Sequence, residues 1–205
     1  MHADMDSHLT RNFYHRDTVT VARALLGQHL VRVTGNERTS GIIVETEAYL
    51  GIKDQAAHTC NGRRTNRNQS MWLDGGTAYV YFTYGMHYCM NVVSRTVDVP
   101  EAVLIRALQP NEGINIIRHR RPAAKKDTDL CSGPAKLCQA LDIDRNLDGT
   151  DLVTSPVLFI EQRRKKMFPD KDITVRPRIG VDYSGPWANK PLRFYLKNNP
   201  HVSTM

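Results

Sequence analysis

The sequence predicts an α+β fold in one domain, with a mostly antiparallel sheet flanked by helices. Three observations carry this. At 205 residues the chain is long enough for one sizeable core and short for two. Strand-like runs outnumber helical ones, and several follow one another across short turns, which favours antiparallel pairing. Helices and strands come in mixed order, without the regular alternation of a parallel α/β fold. No repeat, low-complexity tract or Gly/Ser linker interrupts residues 1–205, so one domain spans them, with residues 1–10 expected to be flexible.

"DTVTVARALLG" places Val19, Ala22, Leu25 and Leu26 at helical spacing, with Asp17 or Thr18 as cap and Gly27 as stop. "HLVRV", Gly35-Asn36 and "TSGIIVETEAY" read as strand, turn and strand. Residues 53–76 have little periodicity and many Arg, Asn and Gly, so a long surface loop is expected there. "TAYVYFTYGMHYCMNVVSR" contains two strand-like runs broken at Tyr84-Gly85, and "EAVLIRAL" is a further strand expected to end at Pro110. Residues 113–121 and 134–141 read as helices, the second opened by Ser132 as N-cap and Pro134 in the first turn. Short strands are expected near 157–160, 174–179 and 192–196.

The hydrophobic fraction of 40% is that of a water-soluble fold. No run of about 18 apolar residues is present to span a bilayer, and the polar N-terminus lacks the apolar centre of a secretory signal, so an intracellular protein with no membrane partner is expected. Lys and Arg number 28 against 21 acids, for a formal charge of +7. That excess favours an acidic partner such as nucleic acid, although charge runs such as "QRRKK" at 162–166 are commonly just solvated faces. Cys60, Cys89, Cys131 and Cys138 are too scattered for a zinc or redox pair and read as reduced, mostly buried thiols; no metal is expected. Serine-hydrolase elbow, phosphate loop and dinucleotide turn are all absent.

What remains suits a nucleobase. Tyr79, Tyr81, Tyr84 and Tyr88 crowd into ten residues, with Asn91 three beyond. Aromatic faces stack on bases at about 1–3 kcal/mol each, though strand tyrosines as often fill a core. In "GIIVETEAYL", Glu45, Glu47 and Tyr49 share one face of an extended chain. Either that face is wet, or a carboxylate is wanted beside an aromatic ring. Arg63, Arg64, Thr65 and Arg67 in "NGRRTNRNQSM", and the basic run from Arg118 to Lys126, suit phosphates.

"GIIVETEAYLG", "DQAAH", "YVYFTYGM", "YCMN", "EAVLIRALQP", "DLCSGPAKLCQAL" and "RPRIGVDYSGPWANKPLRFY", in that order, resemble the alkyladenine (3-methyladenine) DNA glycosylases of the animal and bacterial type, from about residue 9 to 203. The resemblance implies a curved antiparallel sheet in one compact domain. It also implies excision of 3-methyladenine, 7-methylguanine, hypoxanthine and ethenoadenine from double-stranded DNA in base excision repair. No cofactor is used, and the enzyme acts as a monomer, in the bacterial cytoplasm or nucleoid or the eukaryotic nucleus.

By alignment within those motifs, Glu47 is the general base, with Arg106 beside the catalytic water, and Glu45 lies outside the chemistry. Tyr49, His58 and Tyr81 line the base pocket with Leu104, and Asn91 crowds the exocyclic amine of normal guanine. Tyr84 is the wedge that fills the gap left by the flipped nucleotide. Arg63, Thr65, Arg67, Met71, Ser132 and Lys136 meet the DNA backbone or groove. The sequence departs from the family at "SRTVDVP", about two residues longer than in animal members, at His87 and at Gln69.

The aromatic slot would attract cationic N-alkylpurines by about 0.5–2 kcal/mol, and Glu47 would contribute about 10²–10⁴ in rate. With no lysine in the matching pocket motifs, the expected reaction is monofunctional. Neutral bases need a proton to leave, from an acid the sequence does not name. A non-catalytic binder of damaged or single-stranded nucleic acid, or an RNA-directed protein, are the alternatives.

Overall fold

A computed structural model describes residues 7–83 and 85–203. Helix α1 (Arg11–Tyr14) precedes α2 (Thr18–Leu25), whose N-terminus is capped by the Asp17 carboxylate accepting from the Thr20 N–H at 3.1 Å. Strands β1 (His29–Thr34) and β2 (Glu37–Tyr49) form the expected hairpin about Gly35-Asn36. Then come β3 (Ala78–Thr83), β4 (His87–Ser94), β5 (Glu101–Glu112), α3 (Ile114–Arg120), α4 (Pro134–Ala140), β6 (Leu158–Glu161), β7 (Ile173–Arg176) and β8 (Arg193–Leu196).

All described pairings are antiparallel, in the order β3-β4-β5-β2-β1-β6, with β8 also on β2 and β7 on β8. The sheet curls into a half-barrel. Its hub is β2: residues 37–42 pair with β1, residues 45–47 with β8, and residues 40–49 with β5. Register shifts at Ser40/Gly41 and on either side of Glu45 bend the strand between those partners. Gly41 is required at the first bend, since a Cβ there would lie 2.8 Å from Leu108 Cβ.

Alternation divides the sheet into two faces. Ala78, Val80, Met90, Val92, Val103 and Ile105 point into the main core, where α2 contributes Val21, Ala22 and Leu25 and α4 contributes Leu137 and Cys138. Tyr79 and Tyr81 face the other way, toward a smaller cluster with Met71, Trp72, Val93 and Ala102.

Four expectations need correction. Residues 8 and 9 are not loose: the Leu9 N–H donates to the Ile160 carbonyl, and His8 stacks on Phe159 at 4.1 Å. β5 does not end at Pro110 but runs to Glu112, because Pro110 falls opposite Gly41 at a bulge, where no ladder donor is needed. Ser132 does not cap α4; Gly133 occupies that position, at φ 149°, with no side-chain cap. Residues 53–76 are more than a surface loop, since Asp54, Thr59, Asn68, Met71 and Trp72 are all buried, held by short 3-10 turns.

Candidate active site

One row of residues runs straight across five strands. Tyr79 on β3 stands opposite Asn91 on β4, Asn91 opposite Leu104 on β5, Leu104 opposite Glu47 on β2, and Glu47 opposite Arg193 on β8. Residues opposite one another share a face and touch. Tyr81, Tyr49 and Arg106 lie two positions along their strands from Tyr79, Glu47 and Leu104, so they join the same face. This register is how residues as far apart in the chain as Glu47 and Arg193 reach one place.

The wet-face reading of Glu45 and Glu47 is overturned, as both are fully buried. The Arg106 guanidinium bridges them, its Nε donating to Glu45 Oε1 at 3.0 Å and its Nη1 3.3 Å from Glu47 Oε1. Glu45 also accepts from Arg193 Nη1 at 3.0 Å and from the Ser203 N–H at 2.7 Å. Glu45 is thus the counter-ion that holds Arg106 in place. Glu47 accepts from the Ile179 N–H at 2.8 Å and from the Tyr49 hydroxyl at 2.9 Å. Burial raises the Glu47 pKa; Arg106, the Ile179 N–H and the Tyr49 hydroxyl oppose that rise.

In front of this cluster lies a cavity of about 310 Å³, of a size to take a small planar ligand. Tyr49, His58, Tyr81, Asn91, Leu104 and Arg106 all line it. Glu47 sits directly behind Tyr49, Arg106 and Ile179, each of which touches it and borders the cavity. On one wall His58 meets Tyr81 edge-on at 4.6 Å, and its Nδ1 is 2.8 Å from the Tyr79 hydroxyl. Burial, reinforced by Arg67 and Arg63, lowers the His58 pKa to about 4, so its ring is neutral at physiological pH. On the other wall the Arg178 guanidinium lies over Tyr49 at 4.6 Å and is locked by Asp54 in a bidentate pair, at 2.5 and 2.9 Å, with no exposed side-chain surface on either partner.

The remaining expected residues separate. Arg63, Thr65 and Arg67 line a second, adjoining cavity of about 410 Å³ that shares Ala56, His58, Tyr79 and Tyr183 with the first. Lys136 reaches toward the Ser132 hydroxyl at 3.4 Å, both half-buried beside Pro134 at the edge of the base cavity. Met71 is a correction: it is buried beneath Tyr79 and lines the base cavity, so in this structure it offers no surface to a DNA groove. Tyr84 lies outside the described residues.

Sequence reasoning missed the Ile179 N–H, since a backbone donor carries no residue signature. It also missed Cys89, a buried thiol that lines the cavity against Tyr81, and Tyr183, an exposed ring at the sill between the two cavities. Cys89 faces Tyr81 across β3 and β4, a pairing that hairpin register would have revealed.

The fold and site define a mixed α/β protein that holds a flat, aromatic-walled slot against a buried carboxylate, with arginines at its rim. Residues 12–200 match the family described as methylpurine-DNA glycosylase, and the chain belongs to that family. Proteins named DNA-3-methyladenine glycosylase from Mus musculus and Homo sapiens are 42% and 44% identical to it, over 98% and 97% of this chain. The chain spans 63% of the mouse protein's length and 70% of the human one's. A relative from Methanocella arvoryzae is 48% identical over 95% of both chains.

Proposed function

We propose that this chain is a DNA-3-methyladenine glycosylase, which extrudes an alkylated or deaminated purine from duplex DNA and hydrolyses its N-glycosidic bond. The observation that carries the reading is Glu47: a buried carboxylate with raised pKa, oriented by three donors, immediately behind a cavity walled by Tyr49, His58 and Tyr81.

Extrusion costs a few kcal/mol of unstacking, offset by ring stacking in the slot and by Tyr84 as the wedge in the emptied position. With the base in the cavity, its flanking phosphates meet Arg63, Thr65 and Arg67 in the adjoining groove. The bond from the sugar C1′ to the base breaks with its electron pair leaving on the base, and an oxocarbenium-like sugar develops. Ionised Glu47 stabilises that charge and takes a proton from the attacking water, whose oxygen bonds to C1′. For water to reach the carboxylate, one of the three groups around it must give way. No lysine is among the described residues lining the cavity, which supports hydrolysis without a Schiff base or strand cleavage. The enzyme needs no cofactor and works as a monomer inside the cell.

The test is Glu47→Gln on a duplex carrying hypoxanthine. Binding should persist while single-turnover excision falls by about 10²–10⁴; a near-wild-type rate refutes the role of Glu47. Absence of excision by the wild-type chain refutes the enzyme reading altogether.

A further inference from the structure

Three guanidinium groups stand against the walls of the base cavity, and two are neutralised. Arg106 is held between Glu45 and Glu47, and Arg178, over Tyr49, is bound by Asp54 through both its terminal nitrogens. Arg67 differs. Its Cζ lies 5.4 Å from the centre of the Tyr81 ring, and its Nη2 donates to the Phe82 carbonyl at 3.0 Å. Among the described residues no carboxylate lies within ion-pairing distance of it, and it does not itself line the base cavity. Its charge reaches past Tyr81: it adds to the burial that lowers the His58 pKa and opposes the burial that raises the Tyr79 pKa. His58 and Tyr79 therefore lie beside a solvent-exposed cation that has no carboxylate partner among the described residues.

We propose that Arg67 is a specificity-determining residue that biases this pocket toward neutral lesions, such as hypoxanthine and ethenoadenine, and against purines made cationic by N-alkylation. The inference rests on the glycosylase reading and deepens it. An aromatic face attracts a cation through its electron density, and a guanidinium already over Tyr81 draws on that density and repels a second positive charge. The sign holds through bond breaking. A neutral purine gains the electron pair of the glycosidic bond while taking up the proton it needs to leave, so it stays close to neutral and Arg67 opposes it little. A cationic purine is still partly positive at the transition state, so its approach from free solution remains opposed. The neutral His58 adds no charge that would mask the difference.

The experiment places 7-methylguanine and hypoxanthine in one duplex sequence and lets them compete for the enzyme, so that the product ratio reads the ratio of kcat/KM values. Arg67→Gln weakens both reactions by removing a phosphate contact, and that common factor cancels. The ratio of 7-methylguanine to hypoxanthine excision should rise about threefold to tenfold. Arg63→Gln removes an equal charge from the same groove, from a side chain that lies over none of the described aromatic rings, and should shift the ratio by less. An unchanged ratio in Arg67→Gln, or an equal shift in both variants, overturns the proposal. A wild-type chain that excises neither lesion removes the glycosylase reading instead, which keeps the two failures distinct.

Discussion

Asp54→Asn is the sharpest test of how the slot is built. Asp54 Oδ1 accepts from the Ala56 N–H at 3.0 Å and from Arg178 Nη2 at 2.9 Å. Its Oδ2 accepts from the Leu50 N–H at 2.9 Å and from Arg178 Nη1 at 2.5 Å. An asparagine keeps one oxygen and so two of these four bonds, and its amide group turns donors toward donors. Two bonds to a charged acceptor are lost, at about 1.5–3 kcal/mol each, and Arg178 is left charged with no exposed side-chain surface. Breaking one side of a buried ion pair costs about 3–5 kcal/mol, in agreement with that sum. With a urea m-value of about 2 kcal/mol/M, the unfolding midpoint should fall by about 2 M. The double variant Asp54→Asn/Arg178→Met should recover part of the loss, because the unpaired charge goes with it. Excision should fall too, since the Asp54 turn begins at Leu50, directly after Tyr49. A loss under about 1 kcal/mol in the single variant, or a double variant worse than the single, refutes the reasoning.

Two further outcomes concern pH. Burial places the Glu47 pKa above its usual 4.5, and only the ionised form accepts a proton, so the acid limb of single-turnover excision should lie above the ordinary carboxylate range and disappear in Glu47→Gln. A limb at or below 4.5 contradicts the burial argument. His58 titrates near 4 when folded against 6.5 unfolded, so the unfolded chain binds more protons between those values, and the stability it contributes is lost as pH falls from 6.5 to 4. Urea titrations across that window should show a shallower pH dependence for His58→Gln than for the parent; equal slopes would place the His58 ring in solvent.

Much of this architecture was legible because local signals agreed. Gly35-Asn36 marks the β1–β2 turn, and the Asp17 cap and Gly27 stop bracket α2. The motifs brought Tyr49, His58, Tyr81, Asn91, Leu104 and Arg106 to one cavity, with Glu47 buried directly behind it. Pro110 misled because its meaning depends on the partner strand: a bulge opposite Gly41 removes the need for its missing donor. Ser132 misled because Gly133 could adopt a backbone conformation that sets the helix start by itself. Glu45 was unreadable for another reason. Its partners Arg106, Arg193 and Ser203 lie 61, 148 and 158 positions away, and nothing local separates a solvated acid from a buried counter-ion. The same holds for Asp54 with Arg178, and for Arg67 over Tyr81.

Among the described residues, the catalytic carboxylate candidate sits on the one strand that pairs with three others. β2 is zipped to β1, β5 and β8, and Glu47 lies where β5 and β8 grip it from both sides. No partial opening of this protein can release that acid while sparing the sheet, because its amides are tied on both edges. Heat inactivation and global unfolding should therefore be a single event, with no softened, folded but inactive form on the way. In the same way, amide exchange along residues 45–47 should report the stability of the entire molecule.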